Sequence, residues 1–242
     1  MGMQQPASEP SITRSSGVVR APVVALFPAV RWPFVEIAAM SALLLSYIWI
    51  WGSASEGGFM LCVVLYFGIG IAAHWRAKER PRDLGIRIDN FGRAARDAFL
   101  TTLAIGLVLG GAGALLGGFH FPPLADWPIV LRDGIIWGLM QQYGLLTIYY
   151  RRFVTLLPGH RDEPLWAASA VFAILHLPNP FLTFATLAAG AVSCWLYRRT
   201  PNVFVLGIMH GVVSFLIIHC LPVGITMGMR VGPGFLRFVW GS

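Results

Sequence analysis

Charge is what this chain most lacks. Of its 242 residues only 12% are Asp, Glu, Lys or Arg, while 56% are hydrophobic. A water-soluble domain needs roughly one quarter charged residues to solvate its surface. The shortage excludes an ordinary soluble globular domain and makes lipid the expected solvent. Cysteine is scarce too. Cys62, Cys194 and Cys220 are the only three, all in or beside apolar runs, and no paired spacing suggests a disulfide framework or a metal knuckle. The formal net charge of +7 invites a nucleic-acid reading, but the basic residues lie between long apolar runs rather than on one soluble face, so no nucleic-acid partner is expected. Residues 1–22 lack apolar character and are rich in Ser, Pro and Gln. They read as a flexible cytoplasmic tail, without the short apolar core and small-residue cleavage site of a signal peptide.

What is present is a series of apolar runs at about 33–52, 58–75, 98–118, 128–150, 164–177, 181–197 and 202–221, with a weaker one at about 222–240. At 1.5 Å rise per residue, roughly 20 residues cross a hydrocarbon core of about 30 Å. The fifth run is too short to span and ends at Leu177-Pro178-Asn179-Pro180, which cannot continue a regular helix. The eighth is interrupted by Arg230 and several glycines. With the N-terminus inside, every basic residue of the 18 except Arg132 and Arg230 falls in an inner segment, the asymmetry of the positive-inside bias. The expected fold is therefore all-α: a polytopic transmembrane helical bundle of seven to eight spans, both termini cytoplasmic. Residues 23–242 form a single membrane-embedded domain, multi-pass and, from the compact length, expected in a bacterial inner membrane. Gly106, Gly110, Gly113 and Gly117 on the third run suggest close helix packing. The longest hydrophilic stretch, Arg76 to Asp97, reads as a basic amphipathic loop on the anionic inner leaflet.

Polar groups inside lipid need partners or a water-filled cavity, so they are functional candidates. Gln141 and Gln142 lie on the fourth run, His176 ends the fifth, and His210 and Ser214 lie on the seventh. Counted from the inner helix ends, Gln141, His176 and His210 lie at depths of about 15, 18 and 12 Å. Three helices thus bring polar groups to one level, next to the broken segment at Pro178, and a buried polar site is expected there. Two histidines are too few to specify zinc and no HExxH is present. The sequence therefore requires no cofactor and leaves a divalent metal open. Glu36, on the first run, reads as a structural carboxylate with no partner legible. His74, His120 and His160 read as interfacial residues at helix ends or in loops.

The order of these features resembles the CPBP intramembrane proteases, the family that includes the CAAX prenyl endopeptidases. Its three motifs are EExxxR, FxxxH and HxxxN or HxxxD. Here Phe172-Ala173-Ile174-Leu175-His176 matches the second and His210-Gly211-Val212-Val213-Ser214 is similar to the third. The first aligns with Gln141-Gln142-Tyr143-Gly144-Leu145-Leu146, which lacks both glutamates and the arginine. Asp83-Leu84-Gly85-Ile86 and Tyr197-Arg198-Arg199-Thr200 are also similar to the family, so the resemblance covers roughly 35–221. It implies a bundle of about eight helices. It also implies a site in which the first glutamate and the FxxxH histidine activate water while the third-motif His and Asn stabilise the oxyanion. In this chain that assigns His176, His210, Gln141, Gln142 and Ser214 to the catalytic positions, with Phe172, Tyr143 and Asn179 expected to contact substrate. Gln141 cannot accept a proton at neutral pH, whereas His176 titrates near neutrality, so the glutamines would orient water or the substrate carbonyl. Three functions remain open: an intramembrane endopeptidase of the CAAX-processing type, a non-catalytic homologue binding a membrane peptide or lipid, and an enzyme of different chemistry on an isoprenoid or other lipophilic molecule. The expected partners are the bilayer and a membrane-associated peptide or lipophilic small molecule, and the oligomeric state is not legible.

Overall fold

The computed structural model describes residues 23–51 and 56–241, so the residues 1–22 tail lies outside the described residues. The described residues form helices and turns without strands. In chain order the helices are α1 (Val23–Ser46, prolonged by a π-helical turn Tyr47–Trp51), α2 (Glu56–Arg76), α3 (Phe91–Leu116) and α4 (Trp127–Gln142). α4 runs without interruption through a π-helical segment, Tyr143–Tyr150, into α5 (Arg151–Leu156). Then follow α6 (Glu163–Ile174), α7 (Pro180–Arg199), α8 (Val203–Cys220), α9 (Val223–Thr226) and α10 (Gly232–Trp240). Five helices are long and apolar enough to cross a membrane: Arg31–Trp51, Gly57–Arg76, Phe91–Leu116, Pro180–Arg199 and Val203–Cys220. The continuous rod 127–156 is as long, at about 1.5 Å per residue. This is a helical membrane bundle, and its many outward-facing large apolar side chains, such as Leu107, Val108 and Leu115 on α3, face the bilayer.

The fifth run stops short for the expected reason. Pro178 and Pro180 bar a helix, and α6 ends at Ile174 with turns through Pro178. The backbone at this break is satisfied from within the protein. Gly232 N–H donates to Leu177 O at 3.0 Å, and the Asn179 amide donates to Thr226 O and Arg230 O, both at 3.0 Å. Asn179 Oδ1 also accepts from Leu182 N–H, capping α7 ahead of Pro180. The eighth run is broken too, into α9, a short 3₁₀ turn Met227–Met229 and the nine-residue α10.

The basic segments meet at one end of the bundle. Arg151 donates to Asp83 O at 2.9 Å. Asn202, which caps α8 by accepting from Val205 N–H, also donates to Arg87 O and Asn90 Oδ1. Gly85 sits at φ +71°, and a Cβ there would lie 2.9 Å from Pro201 C, so only glycine fits this turn against the start of α8. The loop after α2 is thus a stitched element of the fold. His74, expected at an interface, is buried, with Nδ1 2.8 Å from Glu79 Oε2. Glu36, whose partner was not legible, is ion-paired to Arg76 and Arg152. Arg152 also donates to both oxygens of Glu79, at 3.0 and 2.9 Å, and Arg151 donates to Glu79 Oε1 at 2.7 Å. This network ties α1, α2 and α5 together.

α4 packs antiparallel along α8 through glycines. A Cβ on Gly138 would lie 2.5 Å from Gly207 O and 2.9 Å from Gly211 N, and one on Gly211 would lie 2.7 Å from Ile135 Cα. The two backbones therefore touch, as small-residue positions four apart allow. The third-run glycines share in packing less evenly than expected. Gly113 abuts Cys220 O, whereas Gly110 and Gly117 face open space.

Candidate functional site

The α4–α8 contact decides what faces what. Gln142 lies one turn beyond Gly138, and His210 lies next to Gly211, so the glycine contact delivers the two polar side chains to each other. Gln142 Nε2 is 3.1 Å from His210 Nδ1 and 3.3 Å from Ser193 Oγ on α7. Gln142 and Ser193 are each only 1% exposed. Gln142 Oε1 has no hydrogen-bond partner among the described residues. A buried amide with one end bonded twice and the other unbonded is an uncommon arrangement, since nearly all buried polar groups are paired.

His176 approaches from the break after α6. Its Nδ1 is 2.7 Å from Phe172 O. A carbonyl can only accept, so Nδ1 carries the proton and Nε2 holds a lone pair. The Phe172 ring neighbours both histidines, with its centroid 4.8 Å from that of His176 and 6.3 Å from that of His210. Phe172, His176, Gln142 and His210 therefore form one cluster. Ser214 lies one turn from His210 on α8 and Gln141 adjoins Gln142. Both are half-buried.

Two of the sequence-predicted site residues are placed elsewhere. Tyr143 points at α2, its ring packed on Tyr66, Phe67 and His74, because successive residues of a helix project about 100° apart. Asn179 is fully buried, with its oxygen and its amide nitrogen bonded to backbone groups of the chain. Ser193 was not anticipated. It is one of several small polar residues on α7, and nothing in its sequence neighbourhood marks it.

Among the described residues no group of three or more His, Cys, Asp or Glu side chains is arranged to hold a metal ion. The described carboxylates that form ion pairs (Glu36, Glu79, Asp89, Asp133, Asp162 and Glu163) do so away from the cluster. Chemically the cluster offers two imidazoles and an amide, with an aromatic ring beside both imidazoles.

Residues 123–216 match the Rce1-like family, described as type II CAAX prenyl endopeptidase. The match supports the CPBP/CAAX protease family. It contains all three motif segments, Gln141–Leu146, Phe172–His176 and His210–Ser214, and of the ion network it includes Arg151 and Arg152 but not Glu36, Arg76 or Glu79. No curated protein and no solved structure gives a match.

Proposed function

We propose that this protein is an intramembrane endopeptidase of the CAAX-processing type, hydrolysing a membrane-associated peptide with a carboxylate-free site. The observation that carries the reading is the pair of imidazoles from separate helices on one Phe172 ring. His176 spends its Nδ1 proton on a backbone carbonyl and keeps Nε2 free as a base. Water attacks the scissile carbonyl as His176 Nε2 takes its proton. The C–N bond then breaks and His176 returns that proton to the leaving amine. His210 donates to the carbonyl oxygen as it becomes negative, and Gln141 and Ser214 orient the water and the peptide. Loss of the family's glutamate removes a general base, worth on the order of 10² to 10⁴ in rate, so slow turnover is expected. Both termini and the charged end of the bundle are placed in the cytoplasm, on the positive-inside bias.

A second reading is favoured by one observation, the Gln141-Gln142 pair where the family has two glutamates. It is a non-catalytic homologue that binds a membrane peptide or lipid. Cleavage of prenylated and unprenylated membrane peptides by purified wild type, His176→Ala, Gln141→Glu and Gln142→Glu separates the two. The protease reading expects wild-type cleavage that falls at least about 10²-fold in His176→Ala. An inert wild type that gains cleavage only with a restored glutamate overturns it in favour of binding.

A further inference from the structure

We infer that Gln142 is a positioning residue that fixes His210 in the tautomer opposite to that of His176, so that one imidazole offers a proton where the other offers a lone pair. The inference rests on the hydrolytic reading for its purpose, but it stands on geometry that is independent of it.

Gln142 has two ends, and only one faces His210. With Nε2 toward the ring, as placed, the amide donates one hydrogen to His210 Nδ1 and the other to Ser193 Oγ. His210 Nδ1 is then the acceptor, and its proton must reside on Nε2. With the amide reversed, Oε1 would accept from His210 Nδ1–H, and the His210 proton would move to the other side of the ring. The orphaned end chooses between them. As placed, the unpartnered atom is a single carbonyl oxygen. Reversed, it would be an NH₂ group with two buried hydrogens, and under-satisfied carbonyls are tolerated better than orphaned N–H groups. Ser193 can serve either orientation, since its hydroxyl accepts from an amide N–H or donates to an amide oxygen, so the choice rests on the orphaned end.

His176 is set the other way by its own backbone. Phe172 O takes its Nδ1 proton at 2.7 Å, leaving Nε2 bare. The two rings that contact Phe172 therefore carry complementary functions, one basic and one donating, with no carboxylate to assign them. An ionised glutamate at position 142 has only acceptors. It would draw the His210 proton to Nδ1, so Gln142 here does more than mark a missing base.

The test is the ¹⁵N spectrum of ring-labelled histidine in the full-length protein in lipid bilayers, where each ring nitrogen reports whether it carries the proton. His210 and His176 are assigned by the signals lost in His210→Ala and His176→Ala. The expected wild-type result is His210 protonated on Nε2 and His176 on Nδ1. Gln142→Met should lower the Nε2–H preference of His210 about tenfold, the worth of one neutral hydrogen bond, with His176 unchanged. Ser193→Ala, which removes a partner from either amide orientation, should leave the ratio near wild type. The inference is overturned if wild-type His210 carries its proton on Nδ1, or if Gln142→Met leaves its tautomer ratio as in wild type. Peptide cleavage is measured on the same samples. Tautomers as expected with no cleavage defeat the hydrolytic reading and leave the inference standing.

Discussion

Two buried polar clusters in this protein are built on opposite rules. At the charged end, Glu36 and Glu79 are held by Arg76, Arg151, Arg152 and His74, and every carboxylate oxygen of the pair has at least one donor. At mid-bundle, Gln142, Ser193, His210 and His176 carry no formal charge as neutral rings, and the amide oxygen is left unpartnered. Full charge with full pairing is the pattern of a structural clamp, because an unpaired buried ion would be ruinous. Neutral groups with an incomplete set of bonds can afford to change partners, as a site that receives a ligand must. The family match covers the whole second cluster and, of the first, only Arg151 and Arg152 on α5.

The sharpest way to break the comparison is to strip the clamp of one partner. Arg152, 3% exposed, holds both glutamates, and Arg152→Ala leaves two buried carboxylates short of donors. Removing one member of a buried pair costs about 3–5 kcal/mol. Thermal unfolding in detergent should show a large loss, while His176→Ala, at the neutral cluster, should unfold close to wild type. Equal destabilisation by both would erase the distinction. Next in size is Gly138→Ala. Its Cβ would lie 2.5 Å from Gly207 O, so α4 and α8 must separate, at a cost of about 1–3 kcal/mol for overpacking. The Gln142–His210 bond should weaken with it. An alanine variant as stable as wild type would show that the glycine contact is not what sets the site.

The sequence made the depth of the site legible and left its rotation hidden. Counting residues from the inner helix ends put Gln141, His176 and His210 at one level, and it is the neighbouring Gln142 that the structure bonds to His210. The proline pair at 178 and 180 likewise announced where the fifth run would stop. Counting along a helix does not reveal which way a side chain points about its axis. Tyr143 therefore turned out to face α2, although Gln142 beside it faces α7 and α8. The spacing Gly134-x-x-x-Gly138 opposite Gly207-x-x-x-Gly211 held the missing information, since touching backbones fix the rotation of both helices. Partners of Glu36 and His74 were illegible because they come from α2, the following loop and α5, and no local pattern joins them. Asn179, beside the polar level, proved to be a cap and a strut because the chain after α8 folds back onto it.

The gentlest probe of the comparison is acid. Glu79 follows α2, outside the membrane-spanning helices. Burial alone would raise its pKa, but hydrogen bonds from His74, Arg152 and Arg151 outweigh that and hold it well below its ordinary value of 4.5. A carboxyl depressed in the folded state contributes stability above its unfolded value and loses it as pH falls toward the folded one. Stability should therefore decline on acidification below about 4.5 as the clamp protonates. Glu79→Gln should start lower at neutral pH and decline less, so the two melting curves converge at the acid end. Parallel curves would mean that Glu79 is not what the Arg151–Arg152 corner depends on. The neutral cluster has no ionised carboxylate to titrate over that range, so Ser193→Ala should follow the wild-type acid profile throughout.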